Sequence, residues 1–360
     1  MVLTSPPTQV AIIGGGLAGF TLALALHDLN ISSTIYEARP EDFDQGGVGV
    51  YKRIRDNSLQ FDKLTFKDGQ NQTTNEYYFG SEKLYGYQAI RIMRQKLLDE
   101  MRLMLRERHI LVHYDSKLTS ITFDGPDKVE FAFADGHVAS APLLIGADGI
   151  HSTVRGTFLP QIKPMYAGFI GINCVVQRSQ LRIPDGYSLP ATIMAKLGAF
   201  LLVPQKLDGS ELFIGSQRRF VELDAASWEA LKKNNRPWKW RRSTGWGFGR
   251  FMAFHPWHHG YVRALATLLS KLSPDVPLDK AAEQWQAYRK DRVKRVLDLT
   301  QQMNAKRLPE SERAKLPPGA IWSDQSLTRG DGGELRWLYD PDLSQQAERW
   351  AQELSEAAHP

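Results

Sequence analysis

Residues 9–37 read QVAIIGGGLAGFTLALALHDLNISSTIYE, and this stretch decides the fold of the N-terminal part of the chain. The apolar run Gln9–Gly14 is typical of a short buried β-strand. Leu17–Leu29 has the composition of a helix that ends near Asn30, and Ser32–Glu37 is typical of a second strand. The sequence therefore predicts a βαβ unit whose first turn is rich in glycine.

The turn itself, GGGLAG at residues 14–19, fits the pattern G-x-G-x-x-G. Gly14 permits a tight turn, Gly16 lets a pyrophosphate approach the backbone, and Gly19 lets the helix pack closely on the strand. Free N–H groups at the helix N-terminus then face the phosphate charge. Glu37 ends the second strand, where its carboxylate is placed to accept hydrogen bonds from a ribose. The predicted dinucleotide-binding residues are Gly14, Gly15, Gly16, Gly19 and Glu37.

A second motif, LLIGADGIHSTVR, occupies residues 143–155, and its part from Gly146 to Arg155 matches the form G-A-D-G-x-x-S-x-V-R. With the first motif, it makes the chain resemble the single-component FAD-dependent aromatic hydroxylases, the group A flavoprotein monooxygenases. The resemblance implies that the dinucleotide is FAD and that NAD(P)H is a cosubstrate. It also implies that Asp148, followed by Gly149, contacts the FAD pyrophosphate region. A simple Asp-Gly turn is the alternative, and the pairing of the two motifs argues against it.

Arg94 begins a third feature of the resemblance, R-x-x-L at the start of a helix, in which the arginine reaches the FAD. Arg91 lies one helical turn earlier and is the competing candidate. Arg94 is favoured because Leu97 and Met101 follow it along one helix face.

Two segments depart from the family pattern. Gly47, in the run QGGVG, is the expected loop glycine near the flavin, but no helix is recognisable between it and the run VYKRIRD that starts at Val50. The resemblance also implies a Gly-Asp motif whose aspartate binds the FAD ribityl chain, and none occurs from Gly215 to Leu272. FGRFMAFHPWHHGYV takes its place at residues 248–262, and we expect a helix to resume in VRALATLLSKL.

Three histidines, His255, His258 and His259, lie in this replaced stretch. They have the spacing H-x-x-H-H, but no carboxylate or cysteine lies nearby to complete a set of metal ligands. Pro256 argues against the regular helix that would bring two of them onto one face. We therefore predict no metal site and interpret the stretch as a gap in the family pattern.

The composition of the 360-residue chain, 42% hydrophobic and 24% charged with a net charge of +5, is ordinary for a soluble protein. The single cysteine, Cys174, excludes disulfides within the chain, and its apolar neighbours predict a buried thiol. The N-terminus lacks the features of a signal peptide. The apolar run Val10–Leu26 contains four glycines and divides into strand, turn and helix, so we expect no membrane segment and no membrane partner. The expectation is a cytoplasmic protein.

One basic patch has two interpretations, a phosphate-binding surface or a solvated loop. No nucleic-acid motif accompanies it, which favours the loop and predicts no nucleic-acid partner. The basic residues, with Trp238 and Trp240 between them, are Lys232, Lys233, Arg236, Lys239, Arg241 and Arg242.

The remaining pattern predicts an α/β fold: a Rossmann-like FAD-binding domain, a β-rich substrate domain and C-terminal helices. The predicted divisions are 1–160 for the FAD-binding domain, 161–247 for the substrate domain, 248–305 for a remnant of the FAD domain with a long helix, and 306–360 for a C-terminal extension. The other predicted elements are a helix over Ile90–Arg108, β-rich runs over Tyr166–Val176, Ala191–Val203 and Glu211–Gly215 with a turn at Asp208-Gly209, a helix over Leu278–Asn304, and a short helix from Leu343.

The resemblance implies an FAD-dependent monooxygenase that uses NAD(P)H and O₂ to hydroxylate or epoxidise an aromatic or polycyclic small molecule, in catabolism or secondary metabolism. The sequence singles out no catalytic base. Phe200, Leu201, Leu202 and Phe213 are either walls of an apolar pocket or ordinary sheet core. Two alternatives stay open. One is a degenerate or mis-spliced relative that binds FAD weakly and is not catalytic, and the other is an NAD-dependent dehydrogenase, against which the second motif argues.

Overall fold

The computed structural model describes residues 3–41, 50–166, 168–196, 198–234, 239–242, 251–254, 256–321, 335–339 and 341–359. The described strands are β1 (Gln9–Ile13), β2 (Ser32–Tyr36), β3 (Leu59–Phe61), β4 (Lys63–Lys67), β5 (Thr73–Tyr78), β6 (Ala89–Met93), β7 (Leu111–His113), β8 (Leu118–Asp124), β9 (Val129–Phe133), β10 (Val138–Ala141), β11 (Leu143–Gly146), β12 (Phe169–Gln177), β13 (Ala191–Ala195), β14 (Gly198–Pro204), β15 (Glu211–Arg219), β16 (Lys239–Arg242) and β17 (Phe251–Phe254). The described α-helices are α1 (Leu17–Asp28), α2 (Val50–Arg55), α3 (Glu82–Tyr85), α4 (Arg94–Glu107), α5 (Thr153–Phe158), α6 (Ala225–Asn234), α7 (Pro256–Ser270), α8 (Leu278–Lys306), α9 (Glu310–Arg313), α10 (Arg336–Tyr339) and α11 (Leu343–Ala358).

The predicted βαβ unit is confirmed and forms the centre of a four-stranded parallel sheet with the order β11-β1-β2-β7. Within this sheet Ile12 pairs with Ile35 on one side and with Ile145 on the other. Strands of a parallel sheet are covered on both faces, which explains why β1 is apolar at successive positions. One face packs on α1 and α4, and the other packs on the antiparallel sheet β10-β9-β8 through Phe131 and Phe133.

A seven-stranded sheet with the order β16-β12-β15-β14-β13-β4-β5 forms the β-rich part. The predicted hairpin at Asp208-Gly209 is confirmed: Gly209 has a positive φ of 69°, and β14 and β15 pair in antiparallel fashion on either side. Ala191–Val203 was expected as one β-rich run and is two strands, β13 and β14. Strands β4 and β5 come from the N-terminal side of the predicted boundary at residue 160, and the domain divisions themselves stay a prediction.

The helix predicted over Ile90–Arg108 is wrong in its first part. Residues 89–93 form β6, which pairs with β3 and β17, and the helix begins at Arg94. Ile90 and Ile92 alternate with Arg91, so a strand buries both isoleucines on one side. Tertiary pairing therefore outweighs the helical composition of this segment.

The expectation that Pro256 opposes a helix is also wrong, because α7 begins at Pro256. Proline is compatible with the first helical position, where its missing N–H has no intrahelical partner to lose. Helix α7 packs on α1 and α11. Among the described residues, no helix has both the length and the apolar character needed to cross a bilayer.

The run VYKRIR is itself the helix α2, and the segment before it, in which no helix was recognisable, lies outside the described residues. Cys174 was expected to be buried and is partly exposed on β12, where partial burial still raises the pKa of its thiol. The thiol lies on the same sheet face as Ile214, its register partner, which is also only partly covered.

Candidate functional site

A cavity of about 640 Å³ lies at the carboxyl ends of β1 and β2, between the glycine turn and the loop that follows β11. Its volume falls in the range of pockets that hold small molecules. The carboxyl edge of a parallel sheet is the expected place for a ligand in this architecture. The lining residues include Gly14, Gly16, Glu37, Arg39, Arg94, Lys117, Asp148, Gly149 and His151.

At two positions of the glycine turn, neighbouring backbone leaves no room for a side chain. A Cβ on Gly14, whose φ is +109°, would lie 2.6 Å from the carbonyl oxygen of Ala147, and a Cβ on Gly19 would lie 2.0 Å from the carbonyl oxygen of Gly14. Nothing lies within 4 Å of the position of a Cβ on Gly16. Neighbouring backbone atoms therefore require glycine at positions 14 and 19. Glycine at position 16 instead leaves open the space in the cavity that a side chain would occupy.

Glu37 is held by hydrogen bonds to both oxygens. The Gly15 N–H donates to Oε2 at 2.6 Å, and Arg39 donates to Oε1 from its backbone N at 3.0 Å and from Nε at 2.7 Å. Burial alone would raise the pKa of this carboxyl, but the bonds from Arg39 and Gly15 outweigh burial and lower it. Glu37 is thus a buried, ionised group fixed at the end of β2. Gly15 has a second role, since a Cβ there would lie 2.9 Å from Oε2.

Asp148 is held on one side only. Its Oδ2 accepts hydrogen bonds from the backbone N–H groups of Thr153, at 2.7 Å, and of Val154, at 3.3 Å. Its Oδ1 is buried, and no group in the described part of the chain hydrogen-bonds to it. Gly149 follows with a φ of +85°, which a residue with a side chain rarely adopts. The loop therefore presents a buried acceptor that needs a donor.

Arg94 and Arg91, the two candidates from the sequence, lie in different places. Arg94 begins α4 and lines the cavity. Arg91 lies on β6 and donates from Nε to the carbonyl oxygen of Pro204 at 3.0 Å, with its guanidinium 5.1 Å from the ring centroid of Phe213. Burial lowers the pKa of Arg91 to about 9. Arg94 therefore lines the cavity, whereas Arg91 links β6 to strands β14 and β15 of the seven-stranded sheet.

Several lining residues were not singled out by the sequence. Arg39 follows Glu37 by two residues, and Ser116, Lys117 and Leu118 follow β7. A signal existed: β7 is the third parallel strand in the order β1-β2-β7, and the carboxyl ends of neighbouring parallel strands lie at one edge. Recognising ILVHY as parallel to Ser32–Glu37 would have placed residues 116–118 at the site.

Other sequence candidates lie away from the cavity or outside the description. Gly47 and His255 are outside the described residues, as are the side chains of His258, of His259 and of every basic residue of the patch. The described residues contain no group of three or more His, Cys, Asp or Glu side chains that could hold a metal ion. The set Phe200, Leu201, Leu202 and Phe213 lies on alternating faces of β14 and β15, and none of the four lines the cavity.

No protein-family model matches the chain. Curated relatives do: the FAD-dependent monooxygenase ausM of Emericella nidulans is 30% identical over 177 residues, covering 44% of this chain and 36% of the relative. The 6-methylsalicylate 1-monooxygenase atA of Aspergillus terreus is 32% identical over 196 residues, covering 45% of this chain and 43% of the relative. The aligned part is therefore less than half the length of each of these two proteins.

Solved structures match nearly the whole chain at low identity. CtdE in complex with FAD and a substrate has a TM-score of 0.67 at 16% identity, covering 98% of this chain and 100% of that chain. A salicylate hydroxylase substrate complex has a TM-score of 0.62 at 17% identity, covering 96% and 98%. The chain has the fold of these proteins, and the predicted α/β class is confirmed. The resemblance to FAD-dependent monooxygenases is confirmed by the names of the relatives.

Proposed function

We propose that the chain binds FAD in this cavity and acts as a monooxygenase that hydroxylates or epoxidises an aromatic or polycyclic small molecule with NAD(P)H and O₂. The observation that carries the proposal is that one cavity is lined by both motifs, the glycine turn with Glu37 and the loop with Asp148. FAD, when bound, supplies the redox chemistry and the reaction with O₂. The residues of the chain supply binding, orientation and protection from water.

The pyrophosphate of FAD fits the glycine turn. Gly16 offers a wall without a side chain, and the N-terminus of α1 offers free backbone N–H groups and the positive end of the helix dipole. Arg94 brings a permanent positive charge to the same cavity. The phosphate charges would therefore be met by backbone N–H groups and by the cations that line the cavity, Arg94 among them.

Glu37 favours an adenosine without a 2′-phosphate. Its ionised carboxylate can still accept a hydrogen bond from a ribose hydroxyl, whereas a phosphate at that position would meet a like charge in a buried place. FAD satisfies this condition and NADP(H) does not. NADPH, if it is the reductant, would have to reach the flavin by another route.

The orphan Oδ1 of Asp148 supports a ligand that carries hydrogen-bond donors beyond the pyrophosphate. A buried carboxylate oxygen without a partner costs about 1–3 kcal/mol, which a hydroxyl donor recovers. The polyol chain of FAD offers such donors. An NAD-dependent dehydrogenase would share the glycine turn, but curated relatives such as ausM of Emericella nidulans are named FAD-dependent monooxygenases, which favours FAD.

The absence of a Gly-Asp motif between Gly215 and Leu272 bears on affinity. Residues 256–270 nevertheless form a helix, α7, that packs on α1, so the helix expected after that motif is present. We propose that this helix and the two remaining motifs suffice to hold the cofactor. A cytoplasmic location is part of the proposal, and the lone free Cys174 supports it.

The test is the visible absorption spectrum of the purified chain before and after added FAD, followed by desalting. Flavin bands that survive desalting, and that an Asp148→Asn variant retains less well, are the expected result. Oxidation of NADPH that depends on an aromatic substrate would then test the reaction. A chain that stays colourless after incubation with excess FAD contradicts the proposal.

A further inference from the structure

The segment of residues 150–165, which follows the second motif, exposes a cluster of apolar side chains. Its helix α5 buries none of its residues. Single exposed apolar side chains are common and need no explanation, but five within sixteen residues is a density that is typical of a binding surface. The members, between 42% and 85% exposed, are Ile150, Phe158, Leu159, Ile162 and Met165.

The charge of this segment has one sign. Arg155 and Lys163 lie within it, and the sequence contains no Asp or Glu from Gly149 to Pro184. Exposed apolar side chains with neighbouring cations complement a bilayer that carries anionic headgroups, since the apolar groups enter the boundary of the acyl chains while the cations meet the headgroups. The segment therefore has both components of a peripheral membrane contact.

A second copy of the chain fits this surface less well. A symmetric dimer would apply the same patch to itself and bring Arg155 and Lys163 of each copy near the same cations of the other. Like charges brought together in an interface oppose association. An anionic lipid surface has no such conflict, so charge complementarity favours the bilayer over self-association.

We propose that the 150–165 segment is a peripheral contact with an anionic lipid surface. The sequence predicted no membrane partner, and the proposal departs from that prediction because a peripheral contact requires only that a few side chains enter the interface. The segment begins at Ile150, between Gly149 and His151, both of which line the cavity. The contact therefore brings one edge of the cavity close to the bilayer, and it is independent of the reaction proposed for the site.

The test is co-sedimentation of the full chain with vesicles of phosphatidylcholine alone and with vesicles that contain about one fifth phosphatidylserine. Binding to the anionic vesicles is expected to exceed binding to the neutral ones. It is expected to weaken as salt is raised from about 0.1 M to about 0.5 M, because salt screens the headgroup attraction.

Matched variants locate the contact. Phe158→Glu combined with Ile162→Glu is expected to abolish sedimentation with anionic vesicles, and Lys163→Gln is expected to lower it about fivefold. Leu207→Glu is the control, since Leu207 is 55% exposed in the hairpin between β14 and β15, away from the segment. Each variant is first shown to keep the thermal midpoint of the wild-type chain, so that loss of binding reports the surface and not unfolding.

Three results would overturn the proposal. One is a wild-type chain that does not sediment with anionic vesicles. Another is a Leu207→Glu variant that loses as much binding as the double variant. The third is a concentration-dependent dimer that the double variant dissociates, with no vesicle binding, which would assign the surface to a second copy. Retention of FAD is measured separately, so failure here leaves the function of the cavity untouched.

Discussion

Two carboxylates line the same cavity and are held in different ways. Glu37 receives hydrogen bonds from Gly15 and from Arg39, so both of its carboxylate oxygens have donors within the protein. Asp148 receives hydrogen bonds on Oδ2 only, and its buried Oδ1 has no partner among the described residues. The first is a fixed wall of the cavity, and the second keeps a buried acceptor that we propose a ligand completes.

The difference follows from local geometry. Glu37 ends a strand and points back across a glycine turn, so a backbone N–H and a neighbouring arginine are within reach. Asp148 begins a loop that leads into the short helix α5, and its Oδ2 caps the first N–H groups of that helix. A carboxylate that caps a helix with one oxygen leaves the other for the ligand. The comparison predicts that changes near Glu37 affect stability and changes at Asp148 affect ligand affinity.

The largest effect is expected where the two loops touch. Gly14→Ala would place a Cβ 2.6 Å from the Ala147 carbonyl oxygen and 2.9 Å from the Asp148 Cα, at a positive φ. We expect a loss of about 3 kcal/mol or more in the free energy of unfolding, from strain and overpacking together, and no retention of FAD. Urea unfolding measures it. The control is Gly16→Ala, which meets nothing within 4 Å and should unfold like the wild-type chain.

Asp148→Asn tests whether the unpaired oxygen of Asp148 contributes to FAD affinity. The side-chain oxygen of asparagine can keep the bonds to Thr153 and Val154, while its amide replaces the acceptor Oδ1 with a donor. FAD affinity is expected to fall by roughly ten- to a hundredfold, with little change in thermal midpoint. Titration followed by flavin absorbance measures the affinity. Asp135→Asn is the control, since Asp135 accepts a bond from the His137 N–H in an exposed turn; equal losses in both variants would contradict the assignment.

Glu37→Gln tests, through the pH dependence of stability, whether the ionised Glu37 stabilises the fold. The pKa of Glu37 is lowered in the folded chain, so its ionised form stabilises the fold above the unfolded pKa of about 4.5. This contribution is lost as pH falls below that value, through the folded pKa. The wild-type chain should therefore lose more stability than Glu37→Gln between about pH 6 and pH 3. Thermal midpoints across that range measure it, and parallel curves for the two chains would refute the prediction.

The smallest effect is expected at Arg39. Its side chain is 66% exposed, so the ion pair with Glu37 is partly screened by solvent. Arg39→Ala is expected to lower the free energy of unfolding by about 1 kcal/mol or less. It should also raise the pKa of Glu37, because burial then acts with less opposition. A double-mutant cycle with Glu37→Gln measures the coupling, and additive effects would show that the pair contributes nothing.

Local features account for the parts of the fold and site that the sequence predicted. The βαβ unit follows from apolar periodicity, and the positions of Gly14 and Glu37 follow from their sequence distance to the strand ends. The family resemblance placed Arg94 at the start of a helix, where the structure has it, although the composition of the segment predicted a helix from Ile90. The strand β6 at Ala89–Met93 was missed, because its partners β3 and β17 lie far away in sequence and only pairing with them makes a strand preferable to a helix.

The sequence by itself predicted a glycine turn of the dinucleotide-binding type, an acidic residue at the end of the second strand and a GADG loop. Each of these depends on a few neighbouring residues and on steric limits that act over one turn. Only the tertiary structure decided that the two loops touch through Gly14, that residues 116–118 complete the cavity, and that Asp148 keeps one oxygen unpaired. These features depend on the order of strands in the sheet, because parallel pairing brings together chain ends that are distant in sequence.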